Sequence, residues 1–169
     1  MKIKRQFTIE TSADTVWLIL GPKYAQIGQW ASGVYTSRER TGTILQGAPC
    51  SGRVCETAMG HLKETITRYD EQRKVVAYTA QGDKMPFFVR GLSNMWTVTP
   101  LNNNRTQVDM CFEATLLPVF NLLMGPIMRM QMGGFANHLT EEFQYFAENG
   151  TPHPRKLKAQ QKPQLKAAS

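Results

Sequence analysis

Glu64, Arg53, Arg90, Asn94 and Tyr78 are the residues of this chain best suited to chemistry, because strand alternation turns Glu64, Arg90 and Asn94 towards an otherwise apolar interior. A carboxylate or a guanidinium buried alone is costly, whereas a hydrogen-bonded pair tolerates burial. Glu64 is therefore expected to pair with Arg53 or with Arg90, either as the polar anchor of a bound molecule or as a structural ion pair. Proton transfer would need a positioned acid or base of shifted pKa, and the weak candidates are Glu64, His138 and Tyr78. Histidine is scarce, with three in the chain. His61 has the parity opposite to Glu64, His153 lies near the C-terminus, and His138 flanks a helical stripe. No local Ser-His-Asp or Cys-His motif is present. Cys50, Cys55 and His61 lack zinc-ligand spacing and a fourth partner, so no metal is expected. No glycine-rich loop cradles phosphate, and no cofactor is implied.

The elements that position these groups are strands followed by one long helix. Lys2–Glu10 alternates as a first strand, and Ser12 caps a short helix that Gly21-Pro22 stops. A second helical turn runs from Tyr24 to Trp30. Strands are then expected at 34–40, 53–57, 60–69, 74–82, 88–99 and 106–116, separated by turn-forming residues. Short sequential connections make the sheet antiparallel. In the last strand Val108, Met110, Phe112 and Ala114 alternate with Gln107, Asp109, Cys111 and Glu113, so the apolar set faces inward. The same logic turns Phe88, Arg90, Leu92, Asn94, Trp96 and Val98 inward, together with Leu62, Glu64 and Ile66. Strand 74–82 is ambiguous by alternation.

The segment Pro118–Phe146 reads as a helix laid over the concave side of this sheet. Met124, Met128, Met132, Phe135, Leu139, Phe143 and Phe146 form one stripe, with Arg129, Asn137, Thr140, Glu141, Gln144 and Glu148 opposite. Gly125-Pro126 and Gly133-Gly134 are unfavourable within a helix. They predict a bend, or a close approach to the sheet. The loop 84–88 and the apolar segment 116–124 are candidates for the rim of a pocket, as a greasy entrance or a membrane-touching lid.

Several motifs resemble one superfamily. Thr11-Ser-Ala-Asp-Thr-Val-Trp17 is similar to its opening helix, and Trp30 followed by Val34 to its second-helix signature. Gly52-Arg53, Gly60-x-Leu62-x-Glu64-x-Ile66 and Tyr69-Asp70 before Tyr78 resemble its central strands. Trp96-Thr-Val-Thr-Pro100 with Arg105-Thr-Gln-Val108 resembles its final hairpin. Over about residues 2–148 the chain resembles the START-like (SRPBCC) helix-grip superfamily, polyketide cyclase/dehydrase type. The resemblance implies an α+β helix-grip fold, a curved antiparallel sheet of about seven strands wrapped around a long C-terminal helix, with two short helices after strand one. Strand parity and the helix stripe point to binding, for transport or sequestration, of a hydrophobic or amphipathic small molecule between sheet and helix, and the resemblance implies as the alternative cyclase- or dehydratase-like proton transfer on a polyketide-like substrate. The expected ligand-binding residues are Arg53, Glu64, Tyr78, Arg90, Asn94, Trp96, Met110, Phe112, Met128, Met132, Phe135 and Leu139.

The net charge of +7 divides unevenly. Arg155, Lys156, Lys158, Lys162 and Lys166 face no acid within 150–169, leaving 1–149 close to neutral. Residues 1–149 are therefore expected to form the domain. Residues 150–169, with three prolines and no aromatic residue, are expected to be a disordered basic tail. That tail is either a solubilising terminus or a weak electrostatic tether of an interaction protein to anionic membrane or nucleic acid, with no specific nucleic acid implied. Three cysteines are odd in number and argue for a reducing, cytoplasmic setting. The N-terminus reads as a strand rather than a signal peptide, and no segment has the length of a transmembrane helix. The oligomeric state is not encoded in these patterns.

Overall fold

The computed structural model describes residues 1–161, with the side chains of 121 and 123 left aside. Seven strands, β1 (Lys2–Ile9), β2 (Val34–Glu39), β3 (Gly52–Thr57), β4 (Gly60–Asp70), β5 (Val75–Gly82), β6 (Val89–Asn102) and β7 (Arg105–Leu116), form one antiparallel sheet. Their order is β1-β7-β6-β5-β4-β3-β2. The helix α1 (Ala13–Leu20) and a 3-10 segment (Tyr24–Gln29) separate β1 from β2, and the long helix α2 (Pro118–Asn149) follows β7. This is the expected helix-grip α+β architecture. Local chemistry sets its boundaries. Ser12 Oγ accepts the Thr15 backbone N–H at 3.2 Å to cap α1. Pro118 opens α2, where its missing N–H costs nothing, and Gly150 closes it in the left-handed region at φ 69°.

Strand parity is as alternation required along most of the sheet. Ile66, Tyr78, Asn94, Phe112 and Ile3 lie side by side across β4, β5, β6, β7 and β1. Val76, Tyr78 and Ala80 are buried, which resolves β5. One inward expectation fails. The β6–β7 register slips between Val89 and Gly91, so the residue between them is an unpaired bulge. Arg90 is exposed there instead of facing the interior.

The helix stripe also differs from expectation. Ala136, Leu139, Thr140, Glu142, Phe143 and Ala147 are the buried positions of α2, while Phe135 and Met124 are exposed and Met128, Met132 and Phe146 are half-buried. Bulky rings explain the rotation. Phe143 meets Trp30 at 5.2 Å, Trp96 at 5.4 Å and Phe7 at 6.5 Å between centroids, so small side chains must flank it for the helix to close down. Thr140, expected outside, satisfies its hydroxyl on the Ala136 carbonyl at 3.0 Å.

The expected disorder of the tail is overturned for part of its length. Pro154–Gln161 is a helix, α3, docked against the domain. Lys156 Nζ donates to the Val34 carbonyl at 2.6 Å. Arg155 bridges Glu141 at 2.8 Å and Glu142 at 3.0 Å. Pro154 starts the helix, and these neutralising partners offset the charge density that composition alone reads as disorder. Lys162 and Lys166 lie outside the described residues.

Candidate functional site

Two clusters occupy the space between the sheet and its helices. In the first, Arg53 and Glu64 are direct cross-strand partners on β3 and β4. Arg53 Nε stands 2.7 Å from Glu64 Oε2, with both side chains only 5% exposed. This is a close ion contact rather than an aligned hydrogen bond. Gly52 makes it possible, because a Cβ there would overlap the Glu64 carbonyl oxygen. Tyr24, from the 3-10 segment, completes the group. Its hydroxyl donates to Glu64 Oε2 at 2.6 Å, its carbonyl accepts Arg53 Nη1 at 2.6 Å, and its ring lies 4.1 Å beneath the guanidinium.

The electrostatics are those of a closed, compensated network. Burial opposes the Arg53 charge, but the Glu64 carboxylate, with Tyr24 and Tyr78, holds its pKa above the ordinary value. Burial pushes the Tyr24 hydroxyl well above 10, and pushes Tyr78 up to about 12. Tyr24 was not singled out by the sequence reading. The spacing of Tyr24, Ile27 and Trp30 on one face of their segment was the available signal.

The second cluster lies beneath α2. Asn94 donates through Nδ2 to the Tyr78 hydroxyl at 3.2 Å. Its Oδ1 is buried without a partner among the described residues. Asn94 shares a cleft with Met110, Phe112, Phe135, Ala136 and Leu139, so a lone amide oxygen faces an otherwise apolar surface. Of the expected ligand residues, Arg53, Glu64, Tyr78, Asn94 and Trp96 come together inside, and Met110, Phe112, Phe135 and Leu139 gather under α2. Arg90 does not join them, and His138 is exposed, its carbonyl receiving Arg155 Nη1 at 3.4 Å. His138 therefore does not edge into the interior, because the inward face of α2 is rotated away from it.

Among the described residues there is no open cavity between sheet and helix. The space lined by Tyr24, Ile27, Arg53, Tyr78 and Trp96 measures ≈ 10 Å³, and the cleft at Asn94 closes to ≈ 0 Å³. The first is about the room for one water. Side chains fill the rest, Trp30, Trp96 and Phe143 above all.

The packing of α2 is uneven along its length. Arg5 on β1 donates to the Gly133 carbonyl at 3.2 Å and to Asn137 Oδ1 at 2.6 Å. Gln144 donates to the Thr8 carbonyl, Glu148 accepts the Glu10 N–H, and buried Glu142 accepts both the N–H and the hydroxyl of Ser32. Among the described residues, all side-chain hydrogen bonds from the sheet and its connections to α2 fall at Gly133 or beyond. Before Gly133 the helix holds Pro126 and ring contacts of Phe120 with Phe87 and Phe88, at 5.2 and 4.8 Å.

The sequence matches the family described as "Polyketide cyclase / dehydrase and lipid transport" over residues 1–147. The chain belongs to that family. Solved structures agree on the fold. A START superfamily protein from Mycobacterium smegmatis aligns with a TM-score of 0.68 at 16% identity, covering 89% of this chain and 99% of its own. A norcoclaurine synthase point mutant from Thalictrum flavum, in complex with a transition-state analogue, aligns at 0.64 and 15% identity, covering 87% and 93%. An uncharacterised protein from Bacillus thuringiensis aligns at 0.61 and 17% identity, covering 86% and 97%. No curated protein matches the chain by sequence. Among the described residues no helix is long and apolar enough to cross a membrane, and no group of three or more potential ligands could hold a metal ion.

Proposed function

We propose that this family member binds a hydrophobic or amphipathic small molecule that enters beneath the first half of α2, which lifts to admit it, and reaches the Asn94 cleft under Phe135 and Leu139, at the start of the half that hydrogen bonds hold to the sheet. The observation that carries this reading is Asn94 Oδ1, buried and unpaired among Met110, Phe112, Phe135 and Leu139. A buried amide oxygen without a partner costs about 1–3 kcal/mol, a deficit that a ligand polar group can relieve. The ligand body would lie on that apolar surface and on Met128 and Met132, whose flexible thioethers adapt to varied shapes. Arg53 and Glu64 take a supporting role, since each already has partners within the protein. The enzymatic alternative has less support, because Glu64 is engaged by Arg53 and Tyr24, Tyr78 holds its proton, and His138 is outside. A reducing, cytoplasmic setting is the compartment we propose, since Cys50, Cys55 and Cys111 are all free thiols.

Titration with the apolar fluorophore N-phenyl-1-naphthylamine tests the proposal, with long-chain alcohols and fatty acids as competitors. Saturable binding, displaced by a competitor and weakened about tenfold for that competitor by Asn94→Leu, is the expected result. A roughly 1.4 kcal/mol loss corresponds to that factor. Absence of saturable binding by any of these probes would overturn it.

A further inference from the structure

The end of the sheet where the β5–β6 loop meets the start of α2 carries an apolar surface that the proposed ligand site does not use. Leu117 N–H donates to the Phe88 carbonyl at 2.9 Å and fixes this junction. Phe87 is 71% exposed, Val119 66%, Leu122 81% and Met130 73%. Val119, Leu122, Pro126 and Met130 are spaced so that they share one outward face of α2. An outward helix face on a sheet is ordinarily polar, and a contiguous apolar one marks an interaction surface.

The charges around it are of one sign. Lys84, Arg90 and Arg129 are exposed and make no ion pair among the described residues. No acid occurs between Asp83 and Asp109, nor between Glu113 and Glu141. Asp83, at the edge, is engaged by His61 at 3.2 Å. The bulge in β6 that turned Arg90 outward thus leaves an exposed cation at this end of the sheet, two residues from Phe88, whose carbonyl anchors the start of α2. A second copy of the chain would bring like charges together across such a face. A surface that is itself anionic and has an apolar layer beneath it matches both features.

We infer that this end of the molecule docks on anionic phospholipid bilayers. Phe87, Val119, Leu122 and Met130 enter the headgroup–acyl boundary while Lys84, Arg90 and Arg129 meet the lipid phosphates. The docking residues point away from the cleft at Asn94, so this surface acts whether or not the interior takes a ligand. The contact lies at the opposite end of α2 from α3, where Arg155 and Lys156 are engaged by the protein itself.

Co-sedimentation of the full chain with vesicles of phosphatidylcholine alone, and of phosphatidylcholine with phosphatidylglycerol, tests this. Binding is expected to the mixed vesicles and to fall with added salt. The double variant Phe87→Ser/Leu122→Ser should lose at least about tenfold in partitioning, given the apolar area withdrawn from the bilayer. Arg90→Gln should lose about fivefold, the usual worth of one cation at an anionic surface. Leu157→Ser, on exposed α3, and Lys162→Gln/Lys166→Gln should change little. All these positions are on the surface or beyond the described residues, and an unchanged melting curve verifies the fold. Equal pelleting of the parent and the Phe87/Leu122 variant overturns the inference. So does light scattering that shows a dimer which the same variant dissolves, since the face would then serve a second copy. Retained N-phenyl-1-naphthylamine binding by that variant separates this outcome from failure of the ligand site.

Discussion

Arg53 and Glu64 show how position decides between structure and ligand contact. Strand parity identified the carboxylate as buried, and the cross-strand register delivers the guanidinium to it. What parity could not show is that Tyr24 joins the pair from outside the sheet, its hydroxyl on Glu64 and its carbonyl on Arg53. A buried pair of this kind predicts strong coupling. Arg53→Met or Glu64→Leu alone should cost about 3–5 kcal/mol, because each leaves an uncompensated charge, whereas the double variant should cost clearly less than the two losses summed, its remaining deficit being the Tyr24 hydroxyl and carbonyl left without their partners. Urea denaturation measures this, and additive losses would contradict it. The tyrosines carry a pH signature. Tyr78, at about 12 when folded, titrates near 10 when unfolded. Its contribution is fully present below about pH 10 and is lost as pH rises towards 12, because the unfolded chain releases the proton first. Tyr24 acts in the same direction. Melting temperature should therefore fall across that window, with tyrosinate absorbance from these rings rising only as the protein unfolds. Tyr78→Phe should flatten the fall.

At the scale of elements, α2 is one helix with two mechanical halves. From Gly133 to Glu148 it is tied to β1 and to the 3-10 connection by named hydrogen bonds. Before Gly133 it has Pro126, which removes a helical hydrogen bond, and an outer face of exposed apolar side chains. Gly133 and Gly134 sit at the border. A Cβ on Gly134 would meet nothing within 4 Å and one on Gly133 would make only ordinary contact with Arg5. Close packing against the sheet therefore does not explain these glycines, and in the proposed opening of α2 they serve as the hinge. Gly134→Ala should stabilise α2 by about 0.5–1 kcal/mol, raising the melting temperature by roughly 1–4 °C. It should also slow uptake of the fluorophore in stopped-flow mixing. Unchanged uptake with raised stability would mean that the hinge lies elsewhere. Most of this element was legible as a helix with weak points. Its rotation was not, because periodicity weighs residue type and cannot know that Trp30 and Trp96 already fill the space facing it. Arg90 escaped for a related reason, since a bulge changes parity without any change in alternation. The docked α3 escaped because Pro- and Lys-rich composition reads as disorder until Glu142 and the Val34 carbonyl are in place.

For the whole molecule, fold and family were legible over nearly the entire chain, since seven strands, two short helical segments and a long helix follow from alternation, caps and turns. Among the described residues the interior is filled, so the proposed binding role requires a second arrangement in which the first half of α2 moves and the Phe135 and Leu139 side chains, on the pinned half, repack around the ligand. Methionine methyls report this directly, because Met110 lies in the cleft floor, Met128 and Met132 on the moving half, and Met59 on a distant exposed turn. The decisive measurement is a methyl-labelled methionine NMR titration with N-phenyl-1-naphthylamine. Saturable shifts are expected at Met110, Met128 and Met132, with Met59 unmoved and the amides of Glu141–Glu148 unchanged. Unshifted Met110, Met128 and Met132 at probe concentrations that saturate the fluorescence would contradict the proposed binding.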